Sequence, residues 1–218
     1  MIYAENILIC IAAPLIISLL FTNGNVRIFI GSILTGMTAC LLCAYINGFI
    51  DITSGLGAEQ TAVYYSPIVE EFVKLLPLLF LLAVFEPDSD TLFLSALGIG
   101  SGFATFENCC YLLTSGSSSF SYVLIRGMAV GVMHIVSIMM LALGLEIAKR
   151  LRLLSFQTVV CALSFSITFH AIYNLLVSEE GITSYIGYIL PTVAAIILNI
   201  LLSSMRQTNE RSSTDKLP

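Results

Sequence analysis

Charge is scarce in this chain. Asp, Glu, Lys and Arg together make up 11% of its 218 residues, hydrophobic residues make up 57%, and mean hydropathy is +0.96. Soluble domains carry about 25% charged residues, so the composition excludes an ordinary globular protein and indicates an all-α, polytopic membrane protein. The net charge of −5 is scattered, with no acidic or basic block, which excludes nucleic acid as a partner. There is no disulfide framework: Cys10, Cys40, Cys43, Cys109, Cys110 and Cys161 all lie in apolar runs. Cys40-x-x-Cys43 lacks a second pair and reads as helix core rather than half a metal clip. Residues 1–21 lack the basic start and small-residue cleavage signal of a signal peptide, so they read as a retained span. No soluble domain and no long-period repeat is visible.

What is present is a series of apolar runs. They cover about 1–21, 28–50, 62–85, 92–113, 122–148, 153–177 and 185–203, separated by turn-forming segments such as Thr22-Asn23-Gly24-Asn25, Pro87-Asp88-Ser89-Asp90 and Ser115 to Ser119. Seven spans form one transmembrane domain over 1–204, with a catalytic core over about 62–177, and the polar stretch 205–218 reads as a disordered tail. If successive loops alternate sides, Arg27, the Lys149, Arg150 and Arg152 group, and Arg206, Arg211 and Lys216 share one side, whereas the opposite loops hold Asp51, Glu59, Glu179 and Glu180 without a basic residue. Cytoplasmic loops are the lysine- and arginine-rich ones, so the amino terminus is expected outside and the carboxyl terminus inside.

Glu70, Glu71 and Lys74 interrupt the third run. A charge at mid-bilayer costs about 2.5–3.5 kcal/mol on insertion scales, so such residues line a polar interior or carry function. Helical spacing allows Glu70 to pair with Lys74, turning Glu71 away by about 100°. Pro67 and Pro77, on either side, are expected to kink the helix. At about 1.5 Å per residue, Glu70 and Glu71 lie roughly 12–14 Å from the outer end of their span, Glu107 about 9 Å, His134 about 18 Å and His170 about 10 Å. Both histidines of the chain thus join the acids in one layer. Gly98 and Gly102 make a small-residue face for close helix approach, and Phe103 shares a face with Glu107. Gly127, Gly131 and His134 form an expected packed stripe, and His170 and Asn174, four apart, point the same way. The bland readings are a buried ion pair tying helices together and histidines serving as hydrogen-bonding core residues. Glu146 near Lys149 and Arg150 is explained by an exposed ion pair, and Glu179-Glu180-Gly181 by a solvated loop.

Glu70-Glu71-x-x-Lys74, Phe103-x-x-x-Glu107-Asn108, His134, and His170-x-x-x-Asn174 occur in that order, and together they resemble the motifs of the PrsW family of intramembrane proteases, relatives of the CAAX-prenyl endopeptidase and bacteriocin-immunity membrane proteases. The last motif often ends in aspartate in that family; this chain has Asn174. The resemblance implies a multi-pass protein of the bacterial plasma membrane that cleaves a membrane-anchored anti-sigma factor on its extracytoplasmic side in stress signalling. It implies catalytic roles for Glu70, Glu71, Glu107, His134, His170 and Asn174, supported by Lys74, Phe103 and Asn108; apart from these motifs, Arg126, a basic residue near the outer end of the fifth span, is a further candidate for structural support.

Peptide hydrolysis in a membrane needs a held water, a base and stabilisation of the oxyanion. Glu70 or Glu71 would activate the water and Glu107 would assist or orient it. His134 and His170 would donate to the oxyanion or ligate zinc with one glutamate. The residues leave the glutamic and metallo types both open. Two other classes use such residues: a proton or ion pathway, against which stands the absence of an inverted repeat, and a non-catalytic membrane scaffold.

Overall fold

The computed structural model describes residues 3–115 and 119–214. Lys216 of the charge pattern and residues 116–118 of the expected glycine/serine turn lie outside the described residues. The elements are α1 (Ala4–Ser18), α2 (Gly24–Ser54), α3 (Ala58–Tyr64), α4 (Ser66–Phe85), α5 (Ser89–Ser115), α6 (Phe120–Ile125), a π-helical turn (Arg126–Val130), α7 (Gly131–Arg150), α8 (Phe156–Ser178) and α9 (Ile182–Thr214), with no strand among the described residues. Among the described residues, four stretches are long and apolar enough to cross a bilayer: Gly24–Ser54, Phe120–Arg150, Phe156–Ser178 and Ile182–Met205. The chain is a multi-pass, all-helical membrane protein. Large apolar side chains such as Phe49, Ile52, Phe80, Phe165 and Ile196 are exposed on its outside, where hydrocarbon takes the place of water.

Local chemistry sets most helix ends. Gly55 closes α2 in the left-handed conformation (φ 67°) with its N–H on the Asp51 carbonyl. Ser155 and Thr158 form a reciprocal capping box at the start of α8. The expected run over 62–85 is divided at Tyr65: Pro67 falls in the first turn of α4, where its missing N–H removes no helical bond, so it starts a helix instead of kinking one. Pro77 lies inside α4. The polar stretch expected to be disordered continues α9 as helix through Thr214. It extends an already nucleated helix, and propagation is far less costly than nucleation.

The Gly98/Gly102 face packs on α2. A Cβ at Gly102 would lie 2.0 Å from the Ile33 carbonyl oxygen, and one at Gly36 would lie 2.0 Å from that of Ile99. Both contacts are with backbone, so relief requires the helices to separate. Gly102→Ala is expected to destabilise the protein by about 1–3 kcal/mol, checked by unfolding in mixed micelles; a change near zero would show that α2 and α5 do not approach this closely.

Two apolar clusters flank the polar layer. Leu75, Leu78, Leu92, Ile138 and Leu141 belong to one, formed by α4, α5, α7 and α8. Met37, Cys40, Cys43, Val73, Phe103 and Phe106 form the heart of the other, between α2, α4 and α5. Cys40 and Cys43 are therefore core thiols, whereas Cys10 and Cys161 face outward.

Candidate active site

Glu71 is the hub of the polar layer. Its Oε1 accepts from Lys74 Nζ at 2.8 Å, His170 Nδ1 at 2.9 Å and Ser137 Oγ at 3.0 Å, and its Oε2 accepts from Ser166 Oγ at 2.7 Å. Glu71 and Lys74 are both fully buried. This corrects the expected Glu70–Lys74 pair. Positions three and four apart are both within reach on a helix, and the donors from α7 and α8 hold Glu71, not Glu70, in the ion pair.

The hydrogen bonds assign the imidazole protons. Lys74 Nζ is a donor only and lies 2.9 Å from His134 Nδ1, so that nitrogen accepts. His134 Nε2 then carries the proton and donates to Glu107 Oε2 at 2.8 Å. His170 donates from Nδ1 to Glu71, leaving Nε2 as a lone pair. The two acceptor nitrogens face one carboxylate oxygen: Glu70 Oε2 lies 3.8 Å from His134 Nδ1 and 3.9 Å from His170 Nε2. That oxygen is buried and has no hydrogen-bond partner.

Around this centre, Arg126 Nη2 lies 3.3 Å from Glu107 Oε2, its Nε donates to Asn108 Oδ1 at 3.2 Å, and its guanidinium stacks on Tyr111 at 3.9 Å. Asn108 Nδ2 returns a bond to the Arg126 carbonyl at 3.3 Å. That carbonyl also accepts from the Gly131 N–H across the π-helical turn. The wider turn holds an extra residue, which shifts the helical phase by about 100°. The expected Gly127–Gly131–His134 stripe is therefore broken, and a Cβ at Gly127 would meet nothing within 4 Å. Phe103 packs under Lys74 Nζ at 4.2 Å and against the His134 ring at 4.8 Å.

Asn174 points into the same region, but its Nδ2 donates to the Ala62 carbonyl at 3.0 Å, tying α8 to α3. Glu146, expected in an exposed pair, is 2% exposed and accepts from Arg150 Nε at 2.6 Å and from Ser89 Oγ. The turn between α4 and α5 folds over it, which helical spacing within α7 does not reveal.

Two cavities meet at this centre. One of about 280 Å³ lies between α2, α3 and α5 and reaches Asn47, Thr61, Glu70 and Glu107. The other, of about 250 Å³, lies between α3, α7 and α8 and reaches Glu70, Arg126, His134, His170 and Asn174. Ser137 and Ser166 escaped the sequence reading. The signal was available, since Ser137 lies three residues after His134 and Ser166 four before His170, each on its histidine's face.

The donor set fits a metal ion. Glu70, His134 and His170 offer ligand atoms all within 4.8 Å of one another. Each histidine donates its other ring N–H to a carboxylate, the pattern that orients metal-ligating imidazoles. Glu70, Glu71 and Glu107 outnumber Lys74 and Arg126, an excess of negative charge that a divalent cation would offset. Binding at His134 Nδ1 requires Lys74 Nζ to leave that nitrogen, with Glu71 Oε1 already beside it to hold the ammonium.

A polytopic helical protein that encloses buried carboxylates, two histidines and cavities with polar groups has the groups that hydrolysis within a bilayer requires. Residues 24–202 match the model of the PrsW-protease family, described as PrsW family intramembrane metalloproteases. The match covers most of the chain, which belongs to this family and is an intramembrane protease. Its substrates are accordingly membrane proteins. Neither the curated proteins nor the solved structures yield a match.

Proposed function

We propose that the protein is a zinc-dependent endopeptidase that cuts a single-span membrane-anchored protein near the outer face of a bacterial plasma membrane, an anti-sigma factor being the substrate class that the family likeness favours. The observation that carries the mechanism is the unpartnered Glu70 Oε2 facing both imidazole acceptors. His134 and His170 would hold the ion, leaving the Glu70 carboxylate beside them as the base. Bound there, zinc would polarise the scissile carbonyl and acidify a water. Glu70 accepts the proton of the attacking water. Glu71 fixes His170 through Nδ1, and Glu107, held by Arg126, fixes His134 through Nε2. Asn174 keeps α3 at the edge of the cavities.

We further propose seven spans, amino terminus outside, in one transmembrane domain over 1–204 with its catalytic core at about 62–177 and a cytoplasmic tail. In support, α4 has 20 residues, a length of about 30 Å that matches the hydrocarbon core. The three charges of α4 face the site rather than lipid. At 15 residues, α1 is about 22 Å long and requires local thinning of the bilayer.

The test is cleavage of single-span anti-sigma factors by purified protein in bilayers, with and without a zinc chelator. Loss of cleavage on chelation and recovery on adding zinc are expected. Cleavage untouched by chelation, in a sample shown to be free of metal, would reject the metal mechanism in favour of glutamate-only chemistry. Ion flux in sealed vesicles without proteolysis would reject the protease reading.

A further inference from the structure

A third cavity, of about 540 Å³, lies between α7, α8 and α9, away from the catalytic layer. Met140, Gly144 and Leu151 line it from α7 and its end, Cys161 and Phe165 from α8, and Leu198 from α9. The Thr158 hydroxyl also reaches it but is already bonded to the Leu153 carbonyl at 2.9 Å. The walls therefore suit hydrocarbon and offer no free side-chain hydroxyl.

Two further observations identify the occupant. The first is length: from Met140 to Leu151 the groove runs roughly 16 Å at about 1.5 Å per residue, half of a hydrocarbon core about 30 Å thick. It thus has the depth of one leaflet. The second is charge beside it: α7 ends in Lys149 and Arg150, and Arg152 follows between Leu151 and Leu153, both of which line the groove. Lys149 donates to the Pro87 carbonyl and Arg150 to Glu146 and Ser89, so both are engaged by the neighbouring turn. Arg152 is exposed and, among the described residues, has no side-chain partner. It sits at φ 55°, a left-handed position where glycine would be relaxed, yet the chain places a cation there.

We propose that this groove binds one anionic phospholipid, its acyl chain between α7, α8 and α9 and its phosphate on Arg152. The three helices touch one another pairwise, so a whole helix about 10–12 Å across cannot enter without forcing them apart, whereas an acyl chain can. His134 lies about 9 Å beyond Met140 along α7, which separates the lipid site from the site of peptide cleavage.

Native mass spectrometry of the full chain in detergent, with phosphatidylglycerol or phosphatidylcholine added, tests this. One phosphatidylglycerol is expected to be retained per chain in preference to phosphatidylcholine. Arg152→Gln should cut that preference about fivefold, the value of one arginine beside an anionic membrane surface. Cys161→Trp, which fills the groove, should abolish retention of both lipids. Val160→Trp, next to it but outside the groove, should retain lipid as the native chain does. Equal retention of the two lipids by the native chain, or unchanged binding in both groove variants, would overturn the proposal. So would a change in oligomeric state on Cys161→Trp with lipid binding intact, which would make the face a contact between copies. If Cys161→Trp does not fold, maleimide labelling of Cys161 in the unaltered protein decides: slower labelling in phosphatidylglycerol than in phosphatidylcholine vesicles is expected, and equal rates would overturn it.

Discussion

Glu71→Gln is expected to destabilise the protein by about 3–5 kcal/mol, the cost of leaving a buried charge without its partner, and to abolish cleavage as a consequence. Four donors from three helices converge on this carboxylate: Lys74 from α4, Ser137 from α7, and Ser166 and His170 from α8. Glutamine keeps the shape but removes the charge that holds Lys74, and its amide group presents a donor where only donors are waiting. The control is Glu71→Gln with Lys74→Met. Removing both charges should recover part of the lost stability, because a buried pair replaced together costs far less than one broken singly. Unfolding measured for the two single variants and the double variant completes the cycle. A loss below about 1 kcal/mol for Glu71→Gln, or a double variant no better than either single one, would remove Glu71 from the centre of the architecture.

The adjacent residue should behave in the opposite way. Glu70→Gln is expected to lower the cleavage rate by about 10²- to 10⁴-fold, the usual contribution of a positioned acid–base group, with stability unchanged or raised, because a neutral amide replaces a buried carboxylate whose Oε2 has no partner. Glu70 Oε2 makes no hydrogen bond that the fold depends on and is aimed at the two imidazoles. Steady-state cleavage in bilayers, an unfolding curve and zinc content on the same preparation separate three effects: loss of the base, loss of the fold and loss of the ion. A folded Glu70→Gln variant that retained a tenth or more of the native rate would transfer the proton step to Glu107, the other acid lining both cavities. The contrast between neighbours is the informative part, because a purely structural ion-pair network predicts that Glu71 matters and Glu70 does not.

Much of the site was legible in the chain because the membrane makes polar residues conspicuous. Glu70, Glu71, Lys74, Glu107, His134 and His170 stand out against apolar runs, and the structure brings them within contact of one another. The glycine face of α5 was legible for a similar reason, since small residues four apart mark where backbones approach. Other features were not. Glu146 looked like half of an exposed pair because its second partner, Ser89, lies 57 positions away. The π-helical turn at Arg126–Val130 leaves no mark in the apolar pattern, yet it changes the phase on which any stripe toward His134 would be counted.

Composition and order alone thus determined that this chain crosses a membrane as helices and which side chains are too costly to sit there without purpose, since the bilayer penalises each unpaired charge wherever the fold puts it. Which carboxylate holds the lysine and which is left free was decided only in three dimensions. Glu70 and Glu71 are equivalent to Lys74 by helical reach. The choice between them is made by Ser137, Ser166 and His170, which lie 66 to 99 positions away and arrive only when α7 and α8 pack against α4.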